Sequence, residues 1–211
     1  MAFPRCRGLG ERQALVQRFS IAPLAHAVLM PGQVLHGCCE AIQHEYFTFS
    51  YVDRQNARER GVFHVGHRCA ASFLSLTGTR APPVFNPLQQ LLGTGARALP
   101  RAVRPRVALD SWCALNREVY SAIHLLTCAW GELPGAPLQA MLDWMARAPQ
   151  LALPENEVVH LNMIISKDRR RRTLAAMIEE LRAAQPQLRA FSFPAARAAL
   201  ARAGKPDYFG V

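Results

Sequence analysis

The chain has 211 residues, and half of them are hydrophobic, so it is long enough to bury a core and too apolar to be disordered throughout. Its formal net charge is +10, and arginine supplies 23 of the 25 basic residues. Such an excess of positive charge favours an acidic partner. Nucleic acid is the favoured candidate, and an anionic membrane surface is the next. Residues 1–13 lack an apolar signal segment, and Ile21 to Met30 is too short to span a bilayer. We therefore expect a cytoplasmic protein of bacterial type with no membrane partner.

The N-terminal part of the chain predicts an arm followed by a β-hairpin and a helix. Residues 1–33 form the arm, with one short helix before its prolines. The segment 34–78 then alternates from Tyr46 to Val52 with the period of a strand, returns as a strand from Val62 to Val65, and continues as a helix from Cys69 to Leu76. The aromatic strand can stack on bases if it is exposed, but a core position is the favoured interpretation.

The remaining sequence predicts a linker and then a helical domain. Residues 79–108 are rich in proline and carry five arginines, which is typical of an extended linker. From 109 to 211, apolar residues recur every three or four positions, which predicts helices over 115–130, 137–146, 154–166, 169–184 and 194–203. The predicted fold class is therefore α+β, a small zinc-stapled hairpin and helix followed by a mainly helical domain.

Cysteines and histidines are concentrated in the segment 34–78, which holds three of the six cysteines and four of the seven histidines. Two groups of three lie at the two ends of the predicted hairpin. Tetrahedral zinc needs about four such ligands, usually as two close pairs. In a cytoplasmic protein, clustered thiols favour metal binding over disulfides. The predicted zinc ligands are His36, Cys39, His67 and Cys69, with Cys38 and His64 as competing candidates.

In this arrangement the segment 34–78 resembles treble-clef zinc fingers. In that family a knuckle gives two ligands, and the start of a helix after a hairpin gives two more. The first pair here has the spacing His36-x-x-Cys39 and the second His67-x-Cys69, which is one residue shorter than the usual CxxC spacing. The resemblance implies a structural zinc ion, and it covers only this segment of the chain.

Two other interpretations use cysteine and histidine differently. Cys69 lies at a predicted helix start beside His64 and His67, where an activated thiolate can act as a nucleophile. No orienting Asp or Asn and no oxyanion site accompany it, so an enzyme is the least favoured alternative. His124 and Cys128 are one helical turn apart, but their apolar helix favours core positions over metal binding.

The positive charge is concentrated in one stretch of the chain. From Arg60 to Leu109 there are seven arginines and no acidic residue, which suits contacts to a nucleic-acid backbone. A second run of arginines, residues 169–172, precedes Thr173 at a predicted helix N-terminus, which is the unfavourable end of a helix for cations. The favoured interpretation is that these arginines lie on a solvated face and that Asp168 partly offsets their charge. The predicted nucleic-acid-binding residues are Arg68, Arg97, Arg101, Arg104, Arg106, Arg169, Arg170, Arg171 and Arg172.

Together these patterns favour a non-enzymatic zinc-binding protein that engages nucleic acid, or another acidic surface, through its basic region. The alternative is a protein-interaction adaptor or accessory factor, related to a plasmid, a phage or host defence, with an acidic protein as its partner. The sequence shows no phosphate-binding glycine loop, dinucleotide fingerprint or paired carboxylates that would indicate a particular enzyme class.

Overall fold

The computed structural model describes residues 6–39, 41–88 and 109–210. These residues form an α+β structure, which confirms the predicted fold class, and they divide into two compact units. The first unit, within residues 6–86, contains α1 (Leu9–Arg18), β1 (Phe19–Val28), β2 (Leu35–His36), β3 (Ala41–Ile42), β4 (Glu45–Asp53), β5 (Arg60–Gly66), α2 (His67–Thr77) and β6 (Val84–Phe85). The second unit, 87–88 with 109–210, contains α3 (Ala114–Trp130), α4 (Ala136–Arg147), α5 (Glu155–Ser166), α6 (Leu174–Ala184) and α7 (Pro194–Arg202).

The first unit is built on a sheet with the strand order β5-β4-β1-β6. β4 pairs antiparallel with both β5 and β1, and β6 runs parallel to β1. β1 lies in the segment predicted as an arm, for which no strand was predicted. In the structure the pairing with β4 shifts between Pro23 and Ala25, and such an irregularity is a place where a sheet tolerates a proline.

The predicted hairpin and helix are confirmed. In the hairpin, Phe49 of β4 pairs with Phe63 of β5. The turn between these strands is held by Asp53, whose carboxylate accepts hydrogen bonds from the Gln55 amide at 2.8 Å and from the Arg18 side chain at 2.8 Å. α2 then follows β5 directly and ends at Gly78, which adopts a left-handed conformation with φ of 63°.

The aromatic side chains of β4 belong to the core of the first unit. Phe49 packs against Phe63 with ring centroids 5.5 Å apart and against Phe73 of α2 at 5.7 Å. On the opposite face of the strand, Tyr46 and Thr48 are also buried. The core interpretation of this strand is therefore correct, and these rings are not exposed to stack on bases.

The second unit is organised around α3, whose side chains are buried along most of its length. Near its start, the buried Asn116 donates to the Leu151 carbonyl at 2.8 Å and accepts from the Leu153 amide at 2.9 Å, which holds the loop that leads to α5. His124 and Cys128 are buried in the same helix, as the core interpretation predicted, and burial raises the pKa of the Cys128 thiol to about 12. No helix in the described ranges is long and apolar enough to cross a membrane.

Candidate metal centre

Three cysteine sulfurs from two separate segments meet in the first unit. Cys6 precedes α1, whereas Cys38 and Cys39 follow β2. The three sulfur atoms all lie within 4.8 Å of one another. Cys39 Sγ is 2.8 Å from Cys6 Sγ and 3.2 Å from Cys38 Sγ, and the Cys6 and Cys38 sulfurs are at disulfide distance with Cα atoms 6.7 Å apart. This group of three cysteines can hold a metal ion. Alternatively, Cys6 and Cys38 can form a disulfide.

Backbone hydrogen bonds fix the position of these cysteines. The Cys38 amide donates to the carbonyl of His64 in β5 at 2.9 Å, which attaches the cysteine pair to the edge strand of the sheet. The Cys6 amide donates to Cys39 Sγ at 3.3 Å. An amide that points at a sulfur stabilises negative charge there, which favours the thiolate form that metal binding requires.

Cys69 lies close to this group, in the first turn of α2. It lines a small pocket together with Cys38 and Cys39, although its sulfur is not one of the three that lie mutually within 4.8 Å. Burial, and then the neighbouring Cys39 thiol, raise the pKa of the Cys69 thiol, while Arg12 acts in the opposite direction. A nucleophilic cysteine needs a lowered pKa, so these surroundings do not favour the thiol-enzyme alternative.

The predicted histidine ligands lie outside the group of three sulfurs. His36 is exposed on β2. His67 lies at the start of α2, with its Nδ1 atom 3.0 Å from Glu45 Oε1, and the other oxygen of Glu45 is 2.8 Å from Nε2 of the buried His26. His64 is largely buried, with Nδ1 3.0 Å from the hydroxyl of Thr48.

The environment of His64 gives a direct prediction. Burial lowers the pKa of His64 to about 4, because the charged imidazolium is poorly solvated there. We expect NMR titration of the folded protein to show a neutral His64 ring at pH 6. A midpoint for His64 near 6.5 would contradict the burial of this ring.

Sequence reasoning did not identify Cys6 as a possible ligand. It stands 32 residues before Cys38, in the segment predicted as an arm. The usual sequence signal for a metal site is a close pair of ligands, and Cys6 has no such neighbour. Tertiary packing brings it to the cysteine pair, and α1, which follows Cys6 directly, packs beside α2.

The predicted nucleic-acid-binding arginines fall into three groups. Arg97, Arg101, Arg104 and Arg106 lie outside the described residues. Arg68 is exposed on α2. In the 169–172 run, Arg172 pairs with Asp168 and Glu180, and Arg170 pairs with Glu180, while Arg169 and Arg171 are exposed. Two members of this run are therefore engaged within the second unit.

Fold and site together define a two-unit α+β protein with a cysteine cluster in its N-terminal unit. The chain belongs to the family described as uncharacterised conserved protein UCP028583, whose model matches residues 5–209. The match includes all four cysteines of the first unit and all five helices of the described second unit, α3 to α7. No curated protein and no solved structure shows significant similarity to the chain. The treble-clef resemblance stays a prediction, because the matched family carries no zinc-finger description.

Proposed function

We propose that this protein is a non-enzymatic zinc-binding protein whose first unit is held together by a structural zinc ion and whose basic residues engage nucleic acid. The observation that carries the metal assignment is the meeting of the Cys6, Cys38 and Cys39 sulfurs, which come from two segments separated by 32 positions. Thiolates are soft ligands that select zinc, copper(I) or iron–sulfur clusters over magnesium and calcium.

A zinc ion suits the chemistry of the cluster. Zinc–sulfur bonds of about 2.3 Å in a tetrahedral site separate neighbouring sulfurs by about 3.8 Å. Cys39 Sγ is closer than this to Cys6 Sγ, at 2.8 Å, and to Cys38 Sγ, at 3.2 Å, so a bound ion would move the three sulfurs apart. The ion would tie the chain before α1 to the segment after β2, and both segments flank the hairpin. Metal binding of this kind contributes directly to the free energy of folding.

Elemental analysis of the protein, purified with a thiol reductant, tests the metal assignment. We expect one zinc ion per chain, released when a mercurial reagent titrates the cysteines. A Cys113→Ser variant is the matched control, because Cys113 lies in the second unit at the N-cap of α3, where serine is well tolerated. A reduced protein that takes up no zinc on reconstitution contradicts the assignment. A Cys6–Cys38 disulfide found by mass spectrometry in that reduced sample would contradict it as well.

The net charge supports a nucleic-acid partner for the same protein. The chain carries +10 overall, and the residues up to 108 carry 13 arginines against 5 acidic residues. Within the described part of this segment, Arg60, Arg68 and Arg80 are exposed. Arginine contacts to phosphates are sequence-independent and weaken steeply with salt.

Salt-dependent binding to a labelled DNA or RNA duplex tests this part of the proposal. Replacing Arg97, Arg101, Arg104 and Arg106 together by Gln should reduce the salt slope of log Kd by about 3 to 4 if each contacts one phosphate. The matched control replaces four arginines of the second unit that pair with acids, with the same change in net charge; these are Arg147, Arg182, Arg197 and Arg202. We expect the control to bind more like the wild type.

The same experiment separates the adaptor alternative. If the wild type does not bind either duplex at low salt, or if both quadruple variants lose binding equally, the arginine segment is not a nucleic-acid contact. Retention of an acidic protein by the purified chain, with no nucleic acid present, would instead favour an interaction adaptor.

A further inference from the structure

We infer that Cys69 is the fourth ligand of the metal centre and that Arg12 is its counter-charge, so that Cys6, Cys38, Cys39 and Cys69 form a closed tetrathiolate site. This inference rests on the zinc-binding function proposed above and specifies the complete coordination shell. It replaces the predicted mixed set of histidines and cysteines with cysteines alone.

The pocket beside the three sulfurs is where a fourth ligand is needed. Cys38, Cys39 and Cys69 all line it, together with Gly37 and with Val65 and Gly66 at the end of β5. Cys69 is buried. Because Cys39 and Cys69 line the same small pocket, their thiols are near neighbours. A metal ion bound between them would draw the Cys69 sulfur toward the other three.

The position of Cys69 on α2 suits a thiolate ligand when a metal ion is bound, because the charge of the ion itself deprotonates a coordinating thiol. It is the third residue of the helix, within the first turn, where unpaired amide groups and the helix dipole favour negative charge. Gly66 precedes the helix and contributes no side-chain cap. A metal-bound thiolate at this place would therefore stabilise both the ion and the start of α2.

Arg12 supplies the positive charge that such a site requires. A divalent ion with four thiolates has a net charge of −2, and burying this charge is costly unless a cation accompanies it. The Arg12 side chain, on α1, is only partly exposed, and its Nη1 atom lies 3.5 Å from Cys69 Sγ. The same atom donates to the Cys6 carbonyl at 3.2 Å, and Nε donates to the Ser72 hydroxyl at 3.0 Å.

This geometry also explains why an arginine stands at the site. The planar guanidinium group presents several donors in fixed directions. One side chain therefore contacts the Cys6 carbonyl, the Ser72 hydroxyl of α2 and the Cys69 sulfur at the same time. A lysine would offer one point charge and could not make all three contacts. Arg12 is thus a positioning residue of the metal centre and does not itself bind the ion.

A closed shell of four protein ligands has a chemical consequence. Catalytic zinc sites keep one position open for water or substrate, whereas structural sites fill all four with side chains. The tetrathiolate assignment therefore places this ion in the structural class. The ion would hold together the segment before α1, the cysteine pair after β2 and the start of α2.

X-ray absorption spectroscopy of the zinc-loaded wild type tests the ligand set without a variant. We expect four sulfur scatterers at about 2.3 Å and no nitrogen or oxygen ligand. Three sulfurs with one nitrogen or oxygen would overturn the assignment of Cys69 while leaving the proposed zinc binding intact. A wild type that binds no zinc would overturn the proposed function itself, so the two failures are distinguishable.

Cobalt(II) substitution of variants tests the two residues separately. Cys69→Ser should lower the sulfur-to-cobalt charge-transfer absorption by about a quarter, as one of four thiolates is lost. Arg12→Met should keep the four-sulfur spectrum but weaken zinc binding about 10- to 100-fold, with partial rescue in Arg12→Lys. Cys113→Ser is the control for both. A Cys69→Ser spectrum identical to the wild type, or an Arg12→Met variant with unchanged zinc affinity, would overturn the corresponding role.

Discussion

A Cys39→Ser variant should lose the metal and unfold the first unit, while the second unit stays folded. The Cys39 sulfur contacts those of both Cys6 and Cys38, so the substitution removes one of the three sulfurs of the cluster. Structural zinc contributes on the order of 10 kcal/mol of binding free energy in small domains, which is comparable to the whole stability of a typical domain. The loss is therefore large enough to unfold a unit that depends on the ion.

The structure explains why the effect should remain in one unit. The core beside the cluster contains Cys6 and Cys69 themselves, together with Phe47, Phe49 and Phe73, so loss of the proposed zinc ion would disturb this core directly. α3 and its neighbours form a compact unit of their own. Unfolding confined to the first unit is thus the expected result, and the two units should melt separately.

Hydrogen exchange measured by mass spectrometry resolves the two units in one experiment. In the Cys39→Ser variant, amides of β1, β4 and β5 should lose their protection, whereas amides of α3 should keep it. Cys113→Ser should show neither change, since that cysteine is free and belongs to the second unit. Protection of β4 and β5 that survives in Cys39→Ser would show that the sheet does not depend on the cluster.

The hairpin, α2 and most helices of the second unit were predictable because each is defined by local sequence. The alternation from Tyr46 to Val52 gives the strand, and Gly78 ends the helix that follows. The prediction missed β1 because the evidence for this strand lies in its pairing with β4 and not in its own sequence. Its Pro23 is tolerated only because the pairing with β4 shifts there, and no pattern within the strand shows where that shift falls.

The site was predictable only in part, for a similar reason. The spacing of ligand pairs pointed to the cysteines near the hairpin, but Cys6 joins them through tertiary packing across more than 30 positions. Spacing also cannot show what else a histidine contacts. In the structure His67 interacts with Glu45, and His64 with Thr48, neither of which is marked by any motif. Side-chain partners of this kind depend on the register of the sheet.

The start of α6 shows how a buried acid changes a helix boundary. The prediction began this helix at Arg169, but it begins at Leu174, with the Thr173 side chain accepting from the Ala176 amide at 3.2 Å. The preceding loop is held by Asp168, and Arg171 within it has a φ of 54°, which non-glycine residues seldom adopt. The loop therefore keeps this conformation because Asp168 fixes its backbone.

Asp168 accepts an unusual number of hydrogen bonds for one carboxylate. The indole of Trp130, at the end of α3, donates to it at 2.8 Å. The backbone amides of Arg170 and Arg172 each donate at 3.0 Å, and the Arg172 guanidinium donates two further bonds. These donors all favour the charged form of the carboxylate. The hydrogen bonds from the Arg172 side chain above all hold the pKa of Asp168 well below its usual range, against the opposing effect of burial.

We expect Asp168→Asn to destabilise the second unit by about 3 kcal/mol at neutral pH, since it removes the buried partner of the Arg172 charge and leaves only the partly exposed Glu180. Denaturant unfolding of both proteins, followed by Trp fluorescence, measures this difference. Above about pH 4 the Asp168 carboxylate is charged in both the folded and the unfolded protein. Below that pH it becomes protonated in the unfolded protein but stays charged in the folded protein. Its contribution is therefore constant from pH 5 to 8, and the difference between the two proteins should shrink as pH falls below about 4.

Glu180→Gln provides the matched control for this prediction. Glu180 pairs with the same Arg172, at 2.7 Å, but its side chain is 43% exposed, so solvent screens the interaction. We expect this variant to unfold close to the wild type, although both substitutions remove one negative charge from the same arginine. Equal losses in Asp168→Asn and Glu180→Gln would show that net charge, and not the buried hydrogen bonds to Trp130 and the loop amides, stabilises this junction. A large loss in Asp168→Asn alone would instead show that Arg172, within the 169–172 run, stabilises the second unit through its buried pair with Asp168.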